Sequence, residues 1–108
     1  MSQTTQCLAK NENLARANQE SHFEALSNEK QEILVNWCKA NFNAVKTINT
    51  QITSYDIKQT FSSLEDGFYV TNGQIKGAMV KAGFEMKAAK DGINSRFNVS
   101  KTSPYFKD

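Results

Sequence analysis

The segment "TNGQIKGAMVKAGF", residues 71 to 84, constrains this chain more than any other, because it marks both ends of one short helix. With Thr71 as the N-cap, Gln74 falls at the third helical position and completes a capping box, which satisfies N–H groups that a first turn leaves unpaired. Val70 and Ile75 stand where a hydrophobic staple fixes the entry of the chain. Ile75, Ala78, Met79 and Ala82 recur at helical spacing as a buried stripe, and Gly83 supplies the left-handed C-terminal residue. A helix this short needs packing to persist, so the flanking segments must build the rest of a core around it.

Those segments carry matching patterns. "NEKQEILVNWCKANFNA", from Asn28 to about Ala44, places Ile33, Leu34, Trp37, Cys38, Phe42 and Val45 on one side of a core helix. "KTINTQI" alternates enough for a short strand. In "TSYDIKQTFSSL", Thr53 caps a second helix over Ser54–Leu64, Asp56 sits at its third position, and Ile52 and Ile57 are placed to staple its entry. After Gly83, Phe84 and Met86 alternate with Glu85 and Lys87, an Asp-Gly turn signal follows, and Phe97 and Val99 alternate again, which spells a hairpin. The expected fold class is α+β, mainly α: a winged helix-turn-helix of three helices plus a short β-hairpin wing. Residues 25–102 form that domain, 1–24 a flexible or weakly helical tail anchored at most by Leu8 and Leu14, and 103–108 a C-terminal tail whose "TSPYFKD" reads as a packing latch or a contact motif.

At 108 residues the chain buries one modest core and has the composition of an ordinary soluble domain. It lacks an apolar run of the roughly 18 residues that a membrane span needs, and its opening "MSQTTQCLAKNENL" has neither a basic nor an apolar leader region, so a cytoplasmic protein away from membranes is expected. Cys7 and Cys38 have no metal or redox spacing, and Cys38 reads as a small core residue. The net charge of +2 conceals an asymmetry: up to Asp66 there are six Lys/Arg against eight Asp/Glu, and from Gly67 onward seven against three. The basic excess, and with it the pointer to an anionic partner, belongs to the half that contains the capped helix.

The segment "SYDIKQTF…GFYVTNGQIKGAMVKAGF" resembles a pattern in small, mostly uncharacterised proteins of phages and integrative elements of Gram-positive bacteria. In layout it is also similar to the C-terminal winged-helix segment of phage and plasmid primase-helicases, where a capped helix ends in a Gly-aromatic pair before the hairpin. The match covers about residues 53 to 100, roughly half of the chain. It implies a mobile-element setting and a winged-helix fold, and it supplies no activity.

If the capped helix is a recognition helix, its outer face should carry donors for phosphates and base edges. Outside the buried stripe it presents Asn72, Gly73, Gln74, Lys76, Gly77 and Lys81 with no acidic residue, and with Thr71 its N-terminus offers unpaired N–H groups. Gly77 has a plainer reading, close packing of a neighbouring helix. Lys87, Lys90 and Arg96, with Lys101 just beyond, make the hairpin a basic wing or simply a solvated edge. The expected DNA-binding set is therefore Thr71, Asn72, Gly73, Gln74, Lys76, Lys81, Lys87, Lys90, Arg96 and Lys101. Phe68, Tyr69, Tyr105 and Phe106 offer a rival surface on which unpaired bases stack, although Phe68, Phe84 and Phe97 point inward by pattern. No catalytic constellation is visible: His22 has no identifiable partner, Glu65 and Asp66 sit at a loop, and no phosphate loop, nucleophile elbow or metal cluster occurs. An enzyme is not expected, nor a cofactor or metal. The chain reads as a small phage or mobile-element DNA-binding protein for regulation or replication, possible as a homodimer; the alternative is a winged-helix protein-interaction module or inhibitor that binds a host or phage protein.

Overall fold

A computed structural model of the chain describes residues 17–107. It is an α+β arrangement, mainly helical. A 3-10 helix over Glu20–Ala25 precedes α1 (Asn28–Asn41), α2 (Ser54–Ser63) and α3 (Asn72–Lys81); β1 (Met86–Ala88) and β2 (Ser95–Phe97) follow, and a 3-10 turn over Pro104–Phe106 ends the described chain. No helix among the described residues is long and apolar enough to cross a membrane.

The helix ends follow local chemistry. At α3, the Thr71 hydroxyl accepts from the Gln74 N–H at 3.2 Å while the Thr71 N–H donates to Gln74 Oε1 at 2.9 Å, closing the capping box. At its other end Gly83 has φ of 102°, and the N–H groups of Phe84 and Gly83 donate to the carbonyls of Met79 and Val80, both at 3.0 Å. That is the Schellman arrangement, which turns the chain sharply and delivers Phe84 to the core. α2 opens with the Thr53 N–H donating to Asp56 Oδ2 at 2.9 Å. α1 opens at Ser27, whose hydroxyl accepts from the Lys30 N–H at 3.3 Å. It stops at Asn41, earlier than its apolar spacing suggests, because Phe42 takes an extended conformation that drops its ring into the core. Beyond that break Val45 turns outward, and Ile33 also lies on the wet side of α1, so the inward face consists of Leu34 and Cys38 with Trp37 half-buried. Burial pushes the Cys38 thiol up to about 12, which keeps it an uncharged core residue.

The stretch expected as a strand, residues 46–52, forms none. It instead runs along the hairpin: Val45 N–H donates to Asn98 O at 2.9 Å, Asn49 N–H to Phe97 O at 2.8 Å, and Ala44 makes an isolated antiparallel bridge with Val99. Two buried amides fix this edge. Asn98 accepts from Glu85 N–H at 2.7 Å and donates to Val45 O at 2.9 Å, and Asn49 donates to Val99 O at 3.2 Å. The hairpin pairs Met86 with Phe97, Lys87 with Arg96 and Ala88 with Ser95, so Phe97 faces the core while the basic pair stands on the other face. Its turn is held by Asp91 Oδ1, which accepts from the N–H groups of Ile93 and Asn94 at 2.9 Å each, next to Gly92 at φ of 73°.

Both segments expected as tails contain packed residues. Tyr105 stacks on Phe42 with centroids 4.7 Å apart, and its hydroxyl lies 2.8 Å from that of Thr60, so the C-terminal aromatics form a latch. At the other end Phe23 is 3% exposed and belongs to the core, which places residues 17–24 inside the domain. The anchors Leu8 and Leu14 lie outside the described residues. The 3-10 helix that carries Phe23 lies along α3 at the two glycines: a Cβ on Gly73 would stand 2.0 Å from Gln19 O, and one on Gly77 would stand 2.3 Å from Phe23 Cβ and 2.5 Å from Glu20 O. Neither contact is with a flexible side-chain tip, so Gly77→Ala should overpack the junction by about 1–3 kcal/mol. A melting temperature lowered by roughly 4 °C or more is the expected outcome, and an unchanged one would mean that the 3-10 helix does not pack here.

Candidate functional site

The face of α3 that the sequence pattern leaves for solvent is covered. Asn72, Gly73, Gln74, Lys76 and Gly77 are all buried, and Thr71 is half-buried. What covers them is the chain's own segment 17–25, let in by the two glycines. This is the plainer of the two readings of Gly77, with a 3-10 helix as the neighbour. His22 joins the cap, its Nδ1 2.8 Å from the Thr71 hydroxyl. The Lys76 ammonium donates to Asn18 O at 2.6 Å and also to Ile93 O, bridging the N-terminal segment and the hairpin turn. Burial lowers its pKa, with Asp91 and Glu20 opposing that shift through their charges. The expectation of an exposed recognition face is therefore corrected for Asn72, Gly73, Gln74 and Lys76, which hold the fold together in this arrangement.

The remaining basic residues separate into sets. Lys87 and Arg96 are cross-strand partners on the outer face of the hairpin, and Lys90 is exposed at its turn. Arg96 is half-tethered, its Nη1 donating to Thr50 O at 2.6 Å and Ile52 O at 3.2 Å. Lys101 is exposed past the end of β2, in a cleft with Val45, Thr47, Ile48 and Thr50. Lys81 is exposed at the far end of α3, sharing a cleft with Lys39, Glu32 and Val35. The structure thus puts Lys87 and Arg96 side by side with Lys90 at the same hairpin's turn, and sets Lys101, past the end of β2, and Lys81 apart from them.

A feature outside the expected set lies where the start of α2, the loop before α3 and the hairpin turn meet. Tyr55, Lys58, Tyr69, Thr71, Asn72, Ile93 and Asn94 line an open groove of about 350 Å³. Tyr69 is 73% exposed, Ile93 53% and Tyr55 46%, while the Lys58 ammonium sits 5.5 Å from the ring centroids of both tyrosines. Asn72 closes the inner wall: its Nδ2 donates to Asn94 Oδ1 at 3.0 Å, Asn18 Oδ1 at 3.1 Å and Ile93 O at 3.4 Å, and its buried Oδ1 has no partner. Of the other aromatics considered for stacking, Phe68 packs edge-on against Phe61 at 5.0 Å and Tyr105 with Phe106 forms the latch. Only Tyr69 of that set is open to solvent. Tyr55 carried no distinguishing signal, since its position on α2 differs from a buried one only by helix phase.

Among the described residues no three His, Cys, Asp or Glu side chains are grouped to hold a metal ion. No protein-family model, no curated protein and no solved structure matches the chain.

Two outcomes check the burial of Lys76. Lys76→Glu sets a carboxylate against two carbonyl oxygens, which should cost about 3 kcal/mol or more and show as a large loss in chemical-denaturation midpoint; a solvent-facing lysine would tolerate the change. Because the folded pKa is lowered, the penalty for burying the charge is present below that value and is relieved as pH rises from it toward the ordinary lysine value. Stability of the parent relative to Lys76→Met should accordingly rise with pH in that alkaline window, as read by paired denaturation curves.

Proposed function

We propose that this chain is a nucleic-acid-binding domain of the winged-helix type that grips the phosphate backbone with the outer face of its hairpin instead of inserting α3 into a groove. The order of helix, edge segment, helix, helix and hairpin supports the winged-helix reading, as does the pairing of residues 44–49 with 97–99. The observation that carries the binding mode is the cross-strand pair Lys87 and Arg96, with Lys90 exposed at the turn of the same hairpin. Lys87, Arg96 and Lys90 offer cations along one hairpin, with Lys101 beyond its far end, whereas the only cation that α3 offers to solvent while segment 17–25 is docked is Lys81. The mobile-element setting implied by the resemblance of residues 53–100 belongs to this proposal, as regulation or replication accessory.

A second reading, a protein-interaction module, is favoured by one observation. Ile93 is 53% exposed beside Tyr69, and an apolar side chain there suits a protein surface better than a phosphate.

Titration of fluorescent single- and double-stranded DNA at several salt concentrations tests the first reading. Binding should weaken with salt, and Lys87→Glu with Lys90→Glu should reduce the log–log slope by about 0.7–0.9 for each phosphate that the variant no longer neutralises. Both side chains are exposed, so the stability of the variant should stay within about 0.5 kcal/mol of the parent. Absence of binding at low salt would remove nucleic acid and leave the protein-interaction reading.

A further inference from the structure

We propose that the groove between Tyr55, Tyr69 and the hairpin turn holds an unpaired base, so that the ligand is single-stranded nucleic acid; this inference rests on the nucleic-acid reading above. Two exposed phenol rings on adjoining elements are the groove's main chemical feature. An exposed ring face attracts any base whose own face is free, and bases in a duplex have theirs covered by their neighbours. Tyr55 is preset for that role, because its hydroxyl accepts from Gln59 Nε2 at 2.7 Å. At about 350 Å³ the groove is at the low end of the roughly 300–1,000 Å³ that ligand clefts occupy, which suits a single nucleotide unit.

Charge and hydrogen bonding agree with that occupant. The Lys58 ammonium lies over the faces of both rings, 5.5 Å from each centroid, so a stacking base takes its place on the ring and leaves the cation at the groove's edge for the phosphate. The two neighbouring carboxylates are both engaged with backbone: Asp56 Oδ2 accepts from the Thr53 N–H, and Asp91 Oδ1 from the N–H groups of Ile93 and Asn94. The Asn72 Oδ1 behind the inner wall has no hydrogen-bond partner and is itself buried, so a ligand reaches it only if the amide turns toward the groove. An unpaired base brings a free Watson–Crick edge to the groove, whereas in a duplex that edge is spent on the opposite strand. The groove also opens beside the hairpin turn through Ile93 and Asn94, so a strand held there continues along Lys90 and Lys87.

The experiment uses the full chain with a fluorescent single-stranded oligonucleotide of mixed sequence and the duplex made from it, at low salt, comparing the parent, Tyr69→Ala and Lys87→Glu/Lys90→Glu. Tyr69 is largely exposed, so its removal should leave the circular dichroism and melting temperature unchanged. The proposal expects the parent to prefer the single strand and Tyr69→Ala to lose about 10-fold or more of that affinity, with duplex affinity unaffected. A Tyr69→Trp variant should retain binding, and its fluorescence, with Trp37 as the background measured in the parent, should be quenched by the single strand and not by the duplex. Nucleic acid bound through the hairpin lysines with no effect of Tyr69→Ala, or with an equal effect on both ligands, would overturn the groove alone. No binding of either ligand would overturn the underlying reading together with it.

Discussion

The contact on which the other features depend is the approach of one backbone to another along the glycine face of α3. Ten residues of helix with two glycines have little stability of their own. The first turns of α3 are held because Ile75, Ala78 and Met79 enter the core on one side while segment 17–25 closes the other. The glycines that weaken the helix in isolation are what allow Gln19 O and Glu20 O to reach its surface. Once that distance is reached, polar groups near the junction acquire protein partners: Lys76 finds two carbonyls, His22 meets Thr71, and Asn72 reaches Asn18 and Asn94. A helix that resembles a surface element by composition is thereby made the central one.

This placement shifts surface chemistry to the elements around α3. Its N-terminal dipole end lies under its own chain, where His22 and the Thr71 cap occupy it, and the side chains left outside belong to the start of α2, the loop before α3 and the hairpin. The hairpin is more than an appendage. Asn98 and Asn49 tie it to residues 44–50 through buried amide hydrogen bonds, Ser54 accepts from the Ser95 N–H at 3.0 Å, and Arg96 clamps the chain entering α2. Side chains carried on such a braced hairpin keep a defined geometry relative to Tyr55 and Tyr69, which is what a composite groove requires.

The parts of the fold that were legible in the sequence are those set by interactions a few residues apart. Thr71 with Gln74, Thr53 with Asp56, Gly83 with Phe84 and the Asp91-Gly92 turn each depend on local geometry, so their residue types announce them. The burial of Lys76 and Asn72 did not announce itself, because a polar side chain on a helix looks the same whether water or a distant carbonyl satisfies it. Its partners lie 58 and 54 residues away at Asn18, in a stretch too polar to read as a docking element. Two signals were available: Phe23, a lone aromatic in that stretch, and the i, i+4 pair Gly73 and Gly77. Tyr69 was visible as an unsettled aromatic. Its convergence with Tyr55 and Ile93 comes from tertiary structure, which brings residues from α2, a loop and the hairpin to one place.

The distribution of charge bears on which ligand such a surface favours. The basic excess after Gly67 looks like one surface when counted along the chain, yet folding buries Lys76 and sends Lys81 to the α1 side. What remains on the hairpin is a small group with Asp91 and Glu85 close by in sequence, too few cations for affinity to rest on counterion release alone. A binder with weak long-range attraction needs short-range contacts of larger individual worth. Stacking on an exposed ring is one such contact, tolerant of sequence and open only to unpaired bases. The same electrostatic arithmetic that argues against a duplex gripped through α3 is therefore consistent with the proposed strand at Tyr55 and Tyr69, in which the hairpin lysines would steer the backbone past them.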